Sequence, residues 1–540
     1  MRTKDLIEKR KRRERKHMRS QKNNTVQQQV VETSVKEKYV LPADFPEEVL
    51  AELKHLPRFI SSEEILRRRD MRDILTFTID PEDAKDFDDA LSFVTLDNGN
   101  YQIGIHIADV THYVPEGSAV DEEAYQRGTS IYLVDRVIPM LPERLCNELC
   151  SLRPHEDKAC MSVIVEMDAH AKVVRHKICR TVICSDYRLT HQQAQQYIEG
   201  NITDSTHDSE NLSHVLPLLN KLAQQLRSKR FERGAINFET PEVRFRLDDD
   251  GNPIEILFRQ LTDANHLIEE FMLLANRIVA KEIGVKGKDD HESSQPDKPF
   301  VYRIHDVPDP EKIAKLGTFI RQLGFQLRTS SKRSVQNKHI NSLLDSCQGT
   351  NSQTLIETLT IRSMSKAVYS TSNIGHYGLA FPYYTHFTSP IRRYPDMMVH
   401  RLLSKYLLQS KAPCRHDKEV LEEACVHCSD TEQIAQMAER DSTKEMQARW
   451  ISQHLGETFE GVISGVTEFG LFVQLRDTMT EGLVPIRTIE PHDYMQYDED
   501  NYCLIAARSG KTYTLSDSVR VRVVKADVER KQIDFVLVEE

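Results

Sequence analysis

The 540-residue sequence lacks any apolar run approaching the roughly 20 residues needed to cross a bilayer, which excludes a helical membrane protein. Its N-terminus lacks the apolar core of a secretion signal, and MRTKDLIEKRKRRERKHMRS is charged throughout. Cysteine is sparse, with ten in so long a chain, so no disulfide scaffold is expected. A reduced cytoplasmic protein fits that usage. No repeat recurs at solenoid periods, which excludes a stacked array. An excess of positive charge is also missing. The net charge is −11, and taken alone this disfavours a polyanionic partner. The charge is segregated, however: the first twenty residues carry ten Lys or Arg against three acids.

What is present divides the chain. Residues 1–40 are a basic, then polar, segment with little to bury, either a solvated tail or an arm that attracts RNA. Residues 41–69 read as a linker punctuated by Pro42 and Pro46. Globular patterning starts near 70. ILTFTID (74–80) and YQIGIHIADV (101–110) predict strands. LIEEFMLLANRIVAKEI (267–283) and residues 431–455 predict helices, and 285–299 a polar loop. After Gly456 short strands and glycines predict an all-β domain compatible with a five-stranded barrel.

Chemistry concentrates in TIDPEDAKDFDDALS (78–92), where Asp80, Asp86, Asp88 and Asp89 follow a strand. Six acids and one lysine lie within 80–89. Crowded carboxylates repel one another unless cations intervene, and a hard divalent ion with substrate phosphate relieves this. Two such ions suit phosphodiester hydrolysis. An EF-hand starting at Asp80 fails, because Lys85 and Leu91 stand where Gly and Glu are needed. A solvated acidic loop is the bland alternative. In TSPIRRYPD, Arg392 and Arg393 offer forks for phosphate, or for structural ion pairs. Cys425 and Cys428 flank His427 without a convincing second pair for zinc.

TIDPEDAKDFDDAL resembles the signature of the ribonuclease II and ribonuclease R (RNB) family of 3′→5′ exoribonucleases. HIADVTHYV, IYLVDRVIPMLP, HLIEEFMLLAN, YRIHD, YGLAFPYYTHFTSPIRRYPDMMVHRLL and AERD follow in family order. The likeness covers about 70–540. It implies an α+β catalytic domain at 70–405, a helical extension at 406–455 and an S1-type OB barrel at 456–540. It implies processive hydrolysis of single-stranded RNA to nucleoside 5′-monophosphates with Mg²⁺ or Mn²⁺, by a monomer with no membrane partner. The ~70 residues before the acidic block are too few for the two cold-shock barrels usual in the family, so a ribonuclease R-like chain without them is expected.

By this resemblance Asp80, Asp86, Asp88 and Asp89 are the metal carboxylates, with Asp88 the least replaceable. Arg392 faces phosphate, and Glu439 lies near the 3′ nucleotide. Tyr132 and Phe238, ordinarily core by type, clamp the terminal base. Glu269 and Glu270 cannot both face one way, and Glu270 is preferred as the ribose reader. His191 stands where the family often has Tyr at a sugar edge. In the barrel, Phe469, Phe472 and Tyr494 are candidates for stacking on single-stranded RNA. LSD (515–517) departs from a usual Gly, which predicts a strained turn.

Overall fold

The computed structural model describes residues 39, 41–42, 44–201, 209–238, 242–259, 261–284, 298–328, 336–408, 415–498 and 502–538. The basic segment 1–38, most of the predicted loop at 285–299, and Cys414 lie outside them.

Alternating apolar residues build one twisted sheet of seven strands. These are β1 (Arg69–Asp70), β2 (Thr76–Asp80), β3 (Asp89–Thr95) and β4 (Tyr101–Ala108), then β7 (Asp157–Met167), β8 (Val173–Cys184) and β9 (Tyr187–Thr190). A short hairpin, β5 (Ile131–Tyr132) with β6 (Val137–Ile138), intervenes. The spatial order is β1-β8-β7-β4-β3-β2-β9. Neighbours pair antiparallel except β1 with β8 and β2 with β9. Phe77, Ile105, Ile107 and Val163 are fully buried in the main core.

Helices cover this core: α1 (His191–Glu199), α2 (Ser209–Glu232), α3 (Asp263–Gly284) and α4 (Tyr394–Leu403). The helical period of Leu267, Phe271, Leu274 and Ile278 buries one stripe of α3, as its sequence predicts. The next helix, α5 (Arg415–Ser452), begins well before the predicted 431. Its first turns carry Leu421, Ala424, Cys425 and Cys428 on one packed side. The CxxC is therefore an apolar helix stripe. Both thiols are buried, and burial pushes their pKa up. His427 bonds to the Tyr125 carbonyl oxygen at 2.7 Å, and its ring stacks on Tyr125.

Two small antiparallel pairs, β10 (Glu242–Leu247) with β11 (Pro253–Arg259) and β12 (Tyr302–Ile304) with β13 (Val368–Ser370), follow the main sheet in chain order. The C-terminal strands β14 (Thr458–Thr467), β15 (Gly470–Leu475), β16 (Glu481–Pro485), β20 (Ser518–Asp527) and β21 (Gln532–Leu537) close a five-stranded barrel. At the β14–β15 turn Gly470 has φ +144°, and an added Cβ would lie 2.1 Å from the Val484 carbonyl oxygen, so only glycine fits. Three strands the sequence reading did not separate, β17 (Met495–Asp498), β18 (Cys503–Ala506) and β19 (Thr512–Thr514), form a side sheet. The barrel is not an appendage. Val473, Val484, Val521 and Phe535 share one apolar cluster with Ile313, Leu316, Leu343 and Ile356 of upstream helices and Ile451 of α5.

The predicted strain at LSD is present: Ser516 sits at φ +71°. A side chain in this region costs about 1–2 kcal/mol, partly offset in glycine by greater chain entropy lost on folding. Ser516→Gly is expected to stabilise the chain by roughly 0.5–1 kcal/mol, read as a rise in Tm by calorimetry. A lower Tm would show the serine side chain to be a net contributor.

Candidate active site

Strand β2 ends at Asp80 because Pro81 breaks it, and β3 resumes at Asp89. The intervening loop is held in shape from outside. Ser151 Oγ accepts from the Phe87 N–H at 3.0 Å and donates to the Lys85 carbonyl oxygen at 2.7 Å. Arg188 of β9 donates to the carbonyl oxygens of Pro81 at 2.6 Å and Glu82 at 2.8 Å. This looping brings the four aspartates to one end of adjacent strands.

Asp88 is 5% exposed, and its Oδ1 accepts from the Ile391 N–H at 2.9 Å. Arg392 Nε lies 3.5 Å from Asp88 Oδ2. Burial raises the Asp88 pKa well above the ordinary carboxylate value, against the pull of Arg392 and the Ile391 N–H. For Asp80, burial and then repulsion from Asp89 push the pKa up to about 8, with Asp86 adding to it and Arg188 opposing. Burial raises Asp89 to about 6, with Arg392 opposing. Such shifts cluster at functional sites.

Asp80 Oδ2 is buried and has no hydrogen-bond partner. A buried carboxylate oxygen left bare costs several kcal/mol in order of magnitude, and a hard cation removes that cost. The residues present therefore fit a divalent cation. Among the described residues no three His, Cys, Asp or Glu side chains are arranged as a ready-made metal chelate.

The other wall comes from distant segments. Tyr132, 40% exposed, donates from its hydroxyl to Asp86 Oδ2 at a long 3.4 Å. Its backbone N–H donates to Glu439 Oε1 of α5 at 2.9 Å, and the Val134 N–H to Ser442 Oγ at 3.0 Å. Burial raises the Glu439 pKa, with that N–H and Arg392 opposing. The two arginines separate. Arg393 is turned into the protein and pairs with the fully buried Asp396 at 2.8 Å, whereas the Arg392 side chain is 43% exposed beside Asp88.

The sequence pattern of the RNB domain matches residues 68–409, and that of the S1 RNA binding domain matches 452–537. The chain belongs to the RNB family of exoribonucleases. It is 43% identical over 504 residues to ribonuclease R of Thermotoga maritima, across 92% of this chain and 69% of that one. Mycoplasma genitalium RNase R, solved with ribose-methylated single-stranded RNA, superposes with a TM-score of 0.84 at 27% identity, across 93% of this chain and 77% of that one. The fold is also shared, at 21% identity and a TM-score of 0.65, by yeast Ssd1, a pseudonuclease; 84% of this chain and 54% of that one are covered. The fold alone therefore does not decide chemistry.

Within this RNB chain the remaining candidates fall in different places. Thr190 of β9 pairs with Asp80, which sets His191, the first residue of α1, just beyond the acidic end of the sheet. Phe238 is half-buried against the cluster shared with the barrel, and no ring contact among the described residues joins it to Tyr132. Glu270 is 3% exposed and ion-paired with Arg230, whose Nε lies 3.0 Å from Oε1; burial raises its pKa against that pull. It lines a cavity of about 20 Å³ with Arg277 and Phe381. Glu269 keeps a 44% exposed side chain, 3.1 Å from Arg230. In the barrel Phe469 is 64% exposed and Phe472 half-buried, and Tyr494, just before β17 of the side sheet, is 74% exposed. Phe472 lines a cavity of about 300 Å³ with Lys444 of α5 and Lys531.

Sequence reasoning missed Arg188, Ser151 and the Ile391 N–H. Arg188 stood in view three residues before His191, but nothing local ties it to residue 81. A backbone donor carries no side-chain signal at all.

Proposed function

We propose that Asp80, Asp86, Asp88 and Asp89 hold divalent cations, Mg²⁺ or Mn²⁺, and that the chain trims single-stranded RNA processively from its 3′ end to nucleoside 5′-monophosphates. The observation that carries this is the buried Asp88, clamped between the Ile391 N–H and Arg392 beside an unsatisfied Asp80 oxygen. A cation bound there supplies an activated water and offsets charge on the departing oxygen. Arg392 keeps exposed donors for the scissile phosphate and the charge that develops on it. Water adds to phosphorus, the bond to the upstream O3′ breaks, and a free 3′-hydroxyl remains on the shortened RNA. Glu439 fixes the backbone of Tyr132 so that its ring can stack on the terminal base. Phe238, His191 and Glu270 are proposed as further contacts to base and sugar, and the exposed Phe469 as a stacking contact on incoming RNA. The chain is proposed to act as a monomer.

The test is one incubation of the purified chain with 5′-labelled and with 3′-labelled RNA, with and without chelator. Progressive shortening of the first and immediate mononucleotide from the second, both stopped by chelator, is the expected result. Internal fragments, or chelator-resistant cleavage, would refute it. For the stacking role, Tyr132→Ala is expected to lengthen the final undegraded fragment by about one or two nucleotides while early cleavage slows only modestly, since one stacking contact is worth about 1–3 kcal/mol. Denaturing gels decide this, and an unchanged end product would leave Tyr132 a purely structural residue.

A further inference from the structure

We infer that Ser389 is a positioning residue that aims the Arg392 guanidinium at the scissile phosphate, an assignment resting on the reading of Arg392 given above. Ser389 is 4% exposed, and each of its polar atoms is committed to the arginine pair or its anchor. Its N–H donates to Asp396 Oδ1 at 2.8 Å. Its carbonyl oxygen accepts from the N–H groups of Arg393 at 3.0 Å and Arg392 at 3.3 Å. Its Oγ accepts from Arg392 Nη2 at 3.1 Å.

Asp396 is the anchor below. It is fully buried, and the same Oδ1 that holds the Ser389 N–H also takes Arg393 Nη2 at 2.8 Å. The far side of Arg392 is strapped as well, because its carbonyl oxygen accepts from the Ser130 N–H at 2.9 Å and from Thr129 Oγ1 at 3.1 Å. The backbone of Arg392 is thus fixed on both sides. Its side chain is long and 43% exposed, and it would sample many rotamers if left free. Among the described residues two groups contact the guanidinium directly: Asp88, at 3.5 Å from Nε, and the Ser389 hydroxyl on Nη2.

The hydroxyl suits this task chemically. A second carboxylate in its place would draw the guanidinium charge away from phosphate. A neutral acceptor orients the fork and leaves its charge available to an anion. The donors not used by Asp88 and Ser389 can then make a planar, bidentate contact, which a point charge does not achieve.

The experiment uses the full chain, Mg²⁺ and a single-stranded oligoribonucleotide, with kcat and KM measured separately. Ser389→Ala is expected to lower kcat about tenfold with KM within about twofold of wild type, because the contact matters most where charge develops. Ser389→Thr, which keeps the hydroxyl, is expected to retain kcat within about threefold. In an Arg392→Lys background Ser389→Ala is expected to cost less than about twofold further, since its partner is already gone. Wild-type kcat in Ser389→Ala overturns the assignment. So does an undiminished loss in the Arg392→Lys background, or a fall in Tm with unchanged kcat per folded molecule. Wild-type kcat in Arg392→Lys alone instead refutes the role of Arg392, which separates the two failures.

Discussion

Asp88→Asn is expected to lower the rate of RNA hydrolysis on the order of a thousandfold while RNA affinity stays within about threefold of wild type. The asparagine oxygen is isosteric with Oδ1 and still accepts from the Ile391 N–H, so the loop keeps its shape. What is lost is a negative charge at the centre of the acidic cluster, beside Arg392. RNA binding draws mainly on phosphate and stacking contacts elsewhere, including the exposed Phe469. The same substitution has a second signature. Burial raises the Asp88 pKa, so the charged form is disfavoured in the folded chain. Removing the charge is therefore expected to hold or raise Tm in chelator-treated protein near pH 7. Turnover by the purified variant, with filter binding and calorimetry, gives all three numbers. Normal turnover would remove Asp88 from the chemistry, and a collapse of Tm would make it a structural residue.

Withdrawal of divalent cations is expected to abolish hydrolysis, with full return on adding Mg²⁺ or Mn²⁺, and to uncover a pH-dependent loss of stability. Asp80 is raised to about 8 and Asp89 to about 6, from the ordinary 3.8. In the cation-free folded chain both retain protons at pH values where the unfolded chain has released them. More protons bound in the folded state means that stability falls as pH rises. This contribution is complete below about pH 4 and is lost as pH passes through about 6 for Asp89 and about 8 for Asp80. A cation competes with those same protons. The Tm increase produced by Mg²⁺ is accordingly expected to be larger at pH 8 than at pH 5. Equal increases at both values would mean that the cation binds away from these carboxylates.

The structure also changes how the barrel should be tested. Its core continues into Ile313, Leu343 and Ile356, so removing residues 456–540 would strip upstream helices of apolar cover as well as removing RNA contacts. A single exposed side chain such as Phe469 is the cleaner probe of binding.

What the sequence by itself determined is short-range. The acidic block was legible because its carboxylates lie within ten residues of one another after a strand run, and Thr76–Asp80 is that strand. The α3 stripe and the barrel strands were legible for the same reason, since periodicity is a local property of side chains. The first half of α5 was not legible because its packed stripe is carried by Leu421 with Ala424, Cys425 and Cys428, and the last three are small or sulfur-bearing side chains that mark an apolar period weakly. Between near-identical neighbours local patterns are silent. Arg392 and Arg393 are adjacent arginines, and only Asp396 on one side and Asp88 on the other divide them into a buried anchor and an exposed fork. Glu269 and Glu270 both reach Arg230, about forty residues away in the chain, and only the packing around α3 leaves the first exposed and buries the second. The contacts that assemble the site join residues 303 and 307 positions apart: the Ile391 N–H to Asp88, and the Tyr132 N–H to Glu439. Tertiary structure decided these, because facing is set by what packs opposite, and nothing within a few residues of either partner encodes it.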